Sequence, residues 1–124
     1  HNFDDAYFAV YEDTDFCFRA KKSGFITYYS HKAIAYHKIP FDLDNSNRRL
    51  LERTYWIARN RVIFMKKFAT NFMLFFPFLF VYLVYYLVLS IKYKAFSAIP
   101  NYIKGVIAGL TYKSIWTYHL ATTG

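Results

Sequence analysis

Residues 68–91 read FATNFMLFFPFLFVYLVYYLVLSI, 24 consecutive residues without a charge, bounded by Lys66 and Lys67 before and by Lys92 and Lys94 after. Coiled as an α-helix, this run extends about 36 Å at ~1.5 Å per residue, more than the ~30 Å hydrocarbon thickness of a bilayer. A soluble chain of 124 residues and 14.8 kDa has too little mass to enclose a helix that is apolar all round, so the run is expected to cross a membrane or insert deeply into it. Pro77, near its first third, predicts either a kink or a re-entrant hairpin with both ends on one side.

The charge on either side of the run is uneven. Residues 1–52 hold all eight acids and seven bases, whereas residues 53–124 hold nine bases and no acid. Seven bases (Arg48, Arg49, Arg53, Arg59, Arg61, Lys66 and Lys67) crowd the 20 residues before the run, against Lys92, Lys94 and Lys104 after it. The positive-inside rule then places the N-terminal part in the cytoplasm at the cell membrane. These bases flank a greasy run and do not form a stripe interleaved with stacking residues, so membrane lipid, not nucleic acid, is the expected partner. Aromatics at 23% and hydrophobic residues at 56% exclude a disordered or collagen-like chain, and the single cysteine, Cys17, excludes a disulfide framework. His1 stands where Met would begin a chain and no signal-peptide pattern follows, which is expected of a piece of a longer protein.

Immediately upstream, Leu51, Tyr55, Ala58, Val62, Met65 and Ala69 recur at alternating spacings of four and three, predicting a basic amphipathic helix over residues 46–67 that suits the bilayer interface. Residues 12–23 predict another helix: Glu12, Asp13 and Asp15 at its start, Arg19, Lys21 and Lys22 at its end, and Gly24 as the stop. Asp15 and Arg19 stand four apart and are placed to pair. Residues 25–30 and 33–37 are short aromatic and β-branched runs that suggest two strands, or a strand and an extended segment. After the greasy run, residues 92–124 form a membrane-proximal tail, in which Gly105 and Gly109 have the small-xxx-small spacing of a helix contact.

Five carboxylates fall within twelve residues: Asp4, Asp5, Glu12, Asp13 and Asp15. Packed so closely they raise one another's pKa unless a cation or a helix N-terminus offsets the repulsion. Two readings stand: a cation or acid/base site, or ordinary dipole partners at a helix start. His37 ends the run AIAYH before a Pro-containing loop, where a neutral imidazole is suited to a divalent metal or to a structural hydrogen bond. No HExxH, P-loop or GxSxG is present, which removes support for hydrolase and NTPase readings.

Taken in order, FDDAYFAVYEDTDFCFRAKKSGF (residues 3–25), AIAYHK (33–38), a helix bearing Ala58, Arg59 and Asn60, and a membrane run resemble the C-terminal half of a glycosyltransferase family 2 protein of the rhamnosyltransferase-like kind. The most specific part is FD[DE]xYFxxYEDxDxCxRxxxxG with a His 13 residues after the Gly. The resemblance implies an α/β fold: residues 1–45 the end of a GT-A domain, 46–67 an interfacial helix, 68–91 a transmembrane helix or hairpin, and 92–124 the tail. It implies a nucleotide-sugar donor, a glycan or lipid-linked acceptor, and a divalent metal, Mn or Mg. Asp13 resembles the catalytic base of an inverting transfer, Glu12 shapes the site beside it, and Asp15 with Arg19 supports the helix. His37 resembles the residue that completes metal binding, and Arg59 is placed to reach a phosphate. The metal-binding DxD of the family comes earlier than anything present here, and neither Asp13-Thr14-Asp15 nor Asp42-Leu43-Asp44 stands in its place, so the chain alone is expected to be inactive. QxxRW, the mark of processive synthases, is absent too, which favours transfer of single sugars. The competing expectation is a non-catalytic membrane anchor or interaction module whose acids serve structure alone.

Overall fold

The computed structural model describes residues 3–36, 38 and 43–113. Five helices follow in order: α1 (Glu12–Lys22), α2 (Leu43–Glu52), α3 (Thr54–Phe68), α4 (Phe76–Tyr93) and α5 (Ala98–Thr111), with a 3-10 turn, Phe72–Phe75, leading into α4. No strand occurs among the described residues, so the expected α/β fold with a GT-A portion in residues 1–45 is not what the chain adopts; it is helical. Residues 25–36 show why. Their backbone is irregular, a turn between them is closed by the Ala33 amide on the Ser30 carbonyl (3.2 Å), and Tyr29 and Tyr36 are more than nine-tenths exposed. Aromatic and β-branched composition favours a pleated, half-buried surface, but without a neighbouring ladder to pair with it does not make a strand.

The helix expected over residues 46–67 is two helices. At the break, the Thr54 hydroxyl donates to the carbonyls of Leu51 (2.7 Å) and Leu50 (3.2 Å), the back-bonding that bends a helix, and Arg53 between them has ψ 8°. Pro77 does not kink a long helix. It occupies the first turn of α4, where a missing N–H is harmless, and the Asn71 side chain caps the preceding 3-10 turn by accepting from the Met73 amide (3.0 Å). From Phe72 to Tyr93 the turn and α4 are long and apolar enough to cross a membrane, and nearly all of that length lies on the surface of the structure.

The tail folds back as α5, which has its most extensive contact with α3. Gly105 and Gly109 make this possible. A Cβ on Gly105 would meet the Tyr55 carbonyl oxygen and the Ala58 methyl (3.0 Å), and one on Gly109 would sit 2.7 Å from both the Arg59 carbonyl oxygen and the Val62 side chain. The apolar stripe on α3 thus faces glycine backbone. Tyr102 of α5 packs its ring on Tyr86 of α4 (5.3 Å between centroids) and donates its hydroxyl to the Leu79 carbonyl (2.7 Å), closing a core of Leu51, Ala58, Tyr86, Ala98 and Tyr102. Because backbone atoms on α3 have nowhere to retreat, Gly109→Ala should destabilise the fold by about 1–3 kcal/mol. A thermal melt in detergent reads this as a lowered Tm, whereas Ala108→Gly, at a partly exposed neighbouring site, should show only the smaller helix-propensity loss of about 1 kcal/mol.

Candidate functional site

α3 carries a second, polar face against which the N-terminal acids are organised. Lys67 lies in its last turn with a side chain only 4% exposed, and no acid follows residue 52 to neutralise it locally. Its ammonium pairs instead with Asp4 and with Asp15 (3.1 Å), and stands 4.6 Å from the centre of the Tyr7 ring. Asp15 is fully buried. It also accepts from the Arg19 guanidinium (2.7 Å) and the Tyr7 hydroxyl (3.2 Å), so the i,i+4 pairing read from sequence is present but belongs to a larger network of two acids and two bases. Beneath it Ala6, Tyr7, Ile63 and Phe64 form an apolar cluster.

Two turns earlier on α3, Asn60 is also fully buried. Its amide donates to the carbonyls of Ala9 (2.6 Å) and Val10 (3.0 Å), while its oxygen accepts from Arg59 (2.9 Å), whose same nitrogen reaches the Ala6 carbonyl (2.7 Å). These bonds hold a loop in which Val10 (φ 68°) and Tyr11 (φ 75°) are both left-handed. A β-branched and an aromatic residue rarely adopt that conformation, at a cost of order 1–3 kcal/mol each, and surrounding contacts must impose it. Arg61 adds a bond from its Nε to the Tyr11 hydroxyl (3.0 Å). Tyr11 is the residue that launches α1, its carbonyl accepting from the Asp15 amide (2.8 Å).

The clamp fixes where the first turn of α1 points. Asp13 is exposed, with one carboxylate oxygen accepting from the Thr14 amide (2.7 Å) and hydroxyl (3.2 Å). Glu12 is partly buried, and its Oε2 is enclosed without a hydrogen-bond partner among the described residues. Of the acids in this turn, Asp15 is consumed by structure and Asp13 is left open to an incoming molecule. His37 lies outside the described residues. Among the described residues no group of three or more His, Cys, Asp or Glu side chains is placed to hold a metal, since Asp4 and Asp15 face cations of the chain itself. The described residues therefore do not fit a metal centre. Arg59 is engaged with the Ala6 carbonyl and lies near the Trp56 and Tyr112 rings (5.8 and 4.9 Å). Tyr7, Asn60 and Lys67, which organise the site together with Asp4 of the acidic cluster, have no site role in the sequence reading; an Asn between Arg59 and Arg61 on an amphipathic helix is the available signal.

Compared with protein-family models, curated proteins and solved structures, the chain matches none.

Burial pushes the Asp4 carboxyl upward, but the Lys67 ammonium and the Ala6 amide outweigh it, and the group is held below its ordinary 3.8. The unfolded chain then binds this proton more readily than the folded one, so the stabilisation is full above about pH 4 and is lost as pH falls through the lower folded value. Lys67→Met should cost about 3–5 kcal/mol at neutral pH by leaving Asp4 without its ion-pair partner and the buried Asp15 with Arg19 alone, and should remove this part of the acid dependence. Denaturant unfolding at pH 7 and pH 3.5 measures both effects, and adding Asp4→Asn and Asp15→Asn to Lys67→Met should recover part of the loss.

Proposed function

We propose that this sequence is the membrane-proximal part of an inverting, non-processive glycosyltransferase acting at the cytoplasmic membrane face, with Asp13 as the base that takes the proton of the acceptor hydroxyl. The observation that carries this reading is the clamp: a strained left-handed loop, held by Asn60 and Arg59, that leaves Asp13 exposed while Asp15 is locked behind it. Folds keep such strain where a side chain has to be aimed. A sugar hydroxyl is a very weak acid, so the carboxylate acts as the hydroxyl oxygen attacks the anomeric carbon, with nucleoside diphosphate leaving from the opposite face. Glu12, partly buried in the same turn, shapes the site beside it. The donor is a nucleotide-sugar and the acceptor a glycan or a lipid-linked acceptor. The order of motifs from residue 3 to residue 38 and the adjacent apolar helix support both assignments.

A second reading, a non-catalytic membrane anchor, is favoured by one observation: Asp4, Asp15, Arg19 and Lys67 neutralise one another in a buried network, as acids used for structure do. The two readings part on Asp13, which has no role in that network. In the complete protein, Asp13→Asn should lower sugar transfer at least about 100-fold while leaving the melting temperature and nucleotide-sugar binding unchanged, as expected for loss of a general base. Transfer at the parental rate would favour the anchor.

A further inference from the structure

We infer that α4 does not stand across the bilayer but lies along one face of it, packed with α5 as a hairpin sunk into a single leaflet. The inference rests on the reading of α4 as a membrane segment and concerns how that segment meets lipid. Three contacts fix α4 against the α2 and α3 pair. At its start, the 3-10 turn packs on α3. Midway, the Arg61 guanidinium sits 3.6 Å from the centre of the Tyr82 ring. At its end, the Tyr93 hydroxyl donates to Asp44 (2.8 Å) and accepts from Asn47 (2.9 Å), while Arg48 of α2 lies over the ring (5.6 Å). The apolar helix is therefore tied to the basic α2 and α3 at three points, near its start, its middle and its end.

That neighbour decides the orientation. If α4 crossed the hydrocarbon, α3 would cross with it, carrying Arg61 at mid-helix and, clamped on its other side, the N-terminal segment, whose Asp5, Asp13, Lys21 and Lys22 are exposed. Exposed cations in hydrocarbon are strongly disfavoured, whereas an amphipathic slab in the interface keeps its charges at the headgroups and its apolar face in the acyl chains. The face of α4 away from α2 and α3 bears Phe80, Val84, Leu87 and Val88, all exposed, and α5 adds Ile103 and Ile107. α5 also returns the chain to where α4 begins: Lys66, just before the apolar run, donates to the carbonyls of Leu110 (2.8 Å) and Tyr112 (2.9 Å) at the end of α5. At the far end of α4, Arg48, Glu52, Ser97 and Asn101 line an open recess of about 250 Å³, polar enough to hold water at the α4–α5 turn.

Cys17 is exposed on α1 and serves as the reference for sidedness. The test uses the complete protein in inverted and in right-side-out membrane vesicles, floated to isolate the bound fraction and treated with a membrane-impermeant maleimide. Native Cys17 is compared with Ser97→Cys in a Cys17→Ser background. Both cysteines should label from the same face of the membrane. Labelling of the Ser97→Cys variant only from the opposite face, or from neither, would show that α4 crosses or that its end is sunk in lipid, and would overturn the inference. Failure of the protein to float with the vesicles would overturn the membrane reading itself, which the labelling pattern does not address. Lys92→Cys in the same Cys17→Ser background, at the exposed far end of α4, provides a second position with the same expectation if the Ser97 variant misfolds.

Discussion

An ammonium group buried on a helix that has no acid of its own is the constraint from which the N-terminal half takes its shape. Lys67 is removed from water, its ammonium lying over the Tyr7 ring beside the apolar cluster of Ala6, Tyr7, Ile63 and Phe64, and desolvating an unpaired cation would cost more than a marginally stable domain has to offer. Asp4 and Asp15 come to it from two separate segments, and Arg19 restores neutrality to the pair of acids. Because Asp15 is in the first turn of α1 and Asp4 precedes the loop, satisfying one cation fixes both ends of the segment between them. The loop geometry at Val10 and Tyr11 is then a consequence of a fixed span being closed, with Asn60 supplying donors to the carbonyls that the tight path leaves exposed.

The helices were more legible in the sequence than the packing. α1 was readable because its acids and bases sort to opposite ends, and Asp15 with Arg19 because four residues make one helical turn. The stripe from Leu51 to Ala69 was readable as one apolar face, yet not as the seat of α5. Periodicity shows that a face is buried without showing what buries it, and water, lipid and a glycine-bearing helix leave the same pattern. Gly105 and Gly109 had the spacing of a close helix contact, but the spacing alone does not distinguish a contact from coincidence; the Tyr55 and Arg59 carbonyls opposite them do. Residues 25–36 misled for a different reason. Strand composition describes a preference for a paired environment, and among the described residues no partner provides one.

The site shows the same division. Asp13, Asp15 and Glu12 stand within four positions and look alike in one dimension, but three dimensions separate them into an exposed carboxylate, a fully buried one and a partly enclosed one. What sorts them is α3, more than forty residues away, and no local pattern around Glu12 contains that information. Lys67 illustrates how a one-dimensional reading fails: beside 24 uncharged residues it looks like a membrane flank, whereas its ammonium points away from that run, into the acids.

α3 is shared between the two halves of the molecule, and that sharing has a functional consequence on the proposed reading. One face of α3 binds the loop that aims Asp13; another receives the backbone of α5, and through α5 the apolar hairpin. The connection is made of buried hydrogen bonds and backbone contact, with no long side chain or linker between them. Asp13 is therefore held at a set position relative to the lipid-facing surface. A base that has to meet the hydroxyl of an acceptor anchored in the same leaflet needs its height to be fixed, because an acceptor tethered to lipid samples a shallow layer, and a carboxylate that drifted by even an ångström or two from the reacting oxygen would lose its alignment. Rigid coupling through α3 answers that requirement with the same residues that keep the fold together.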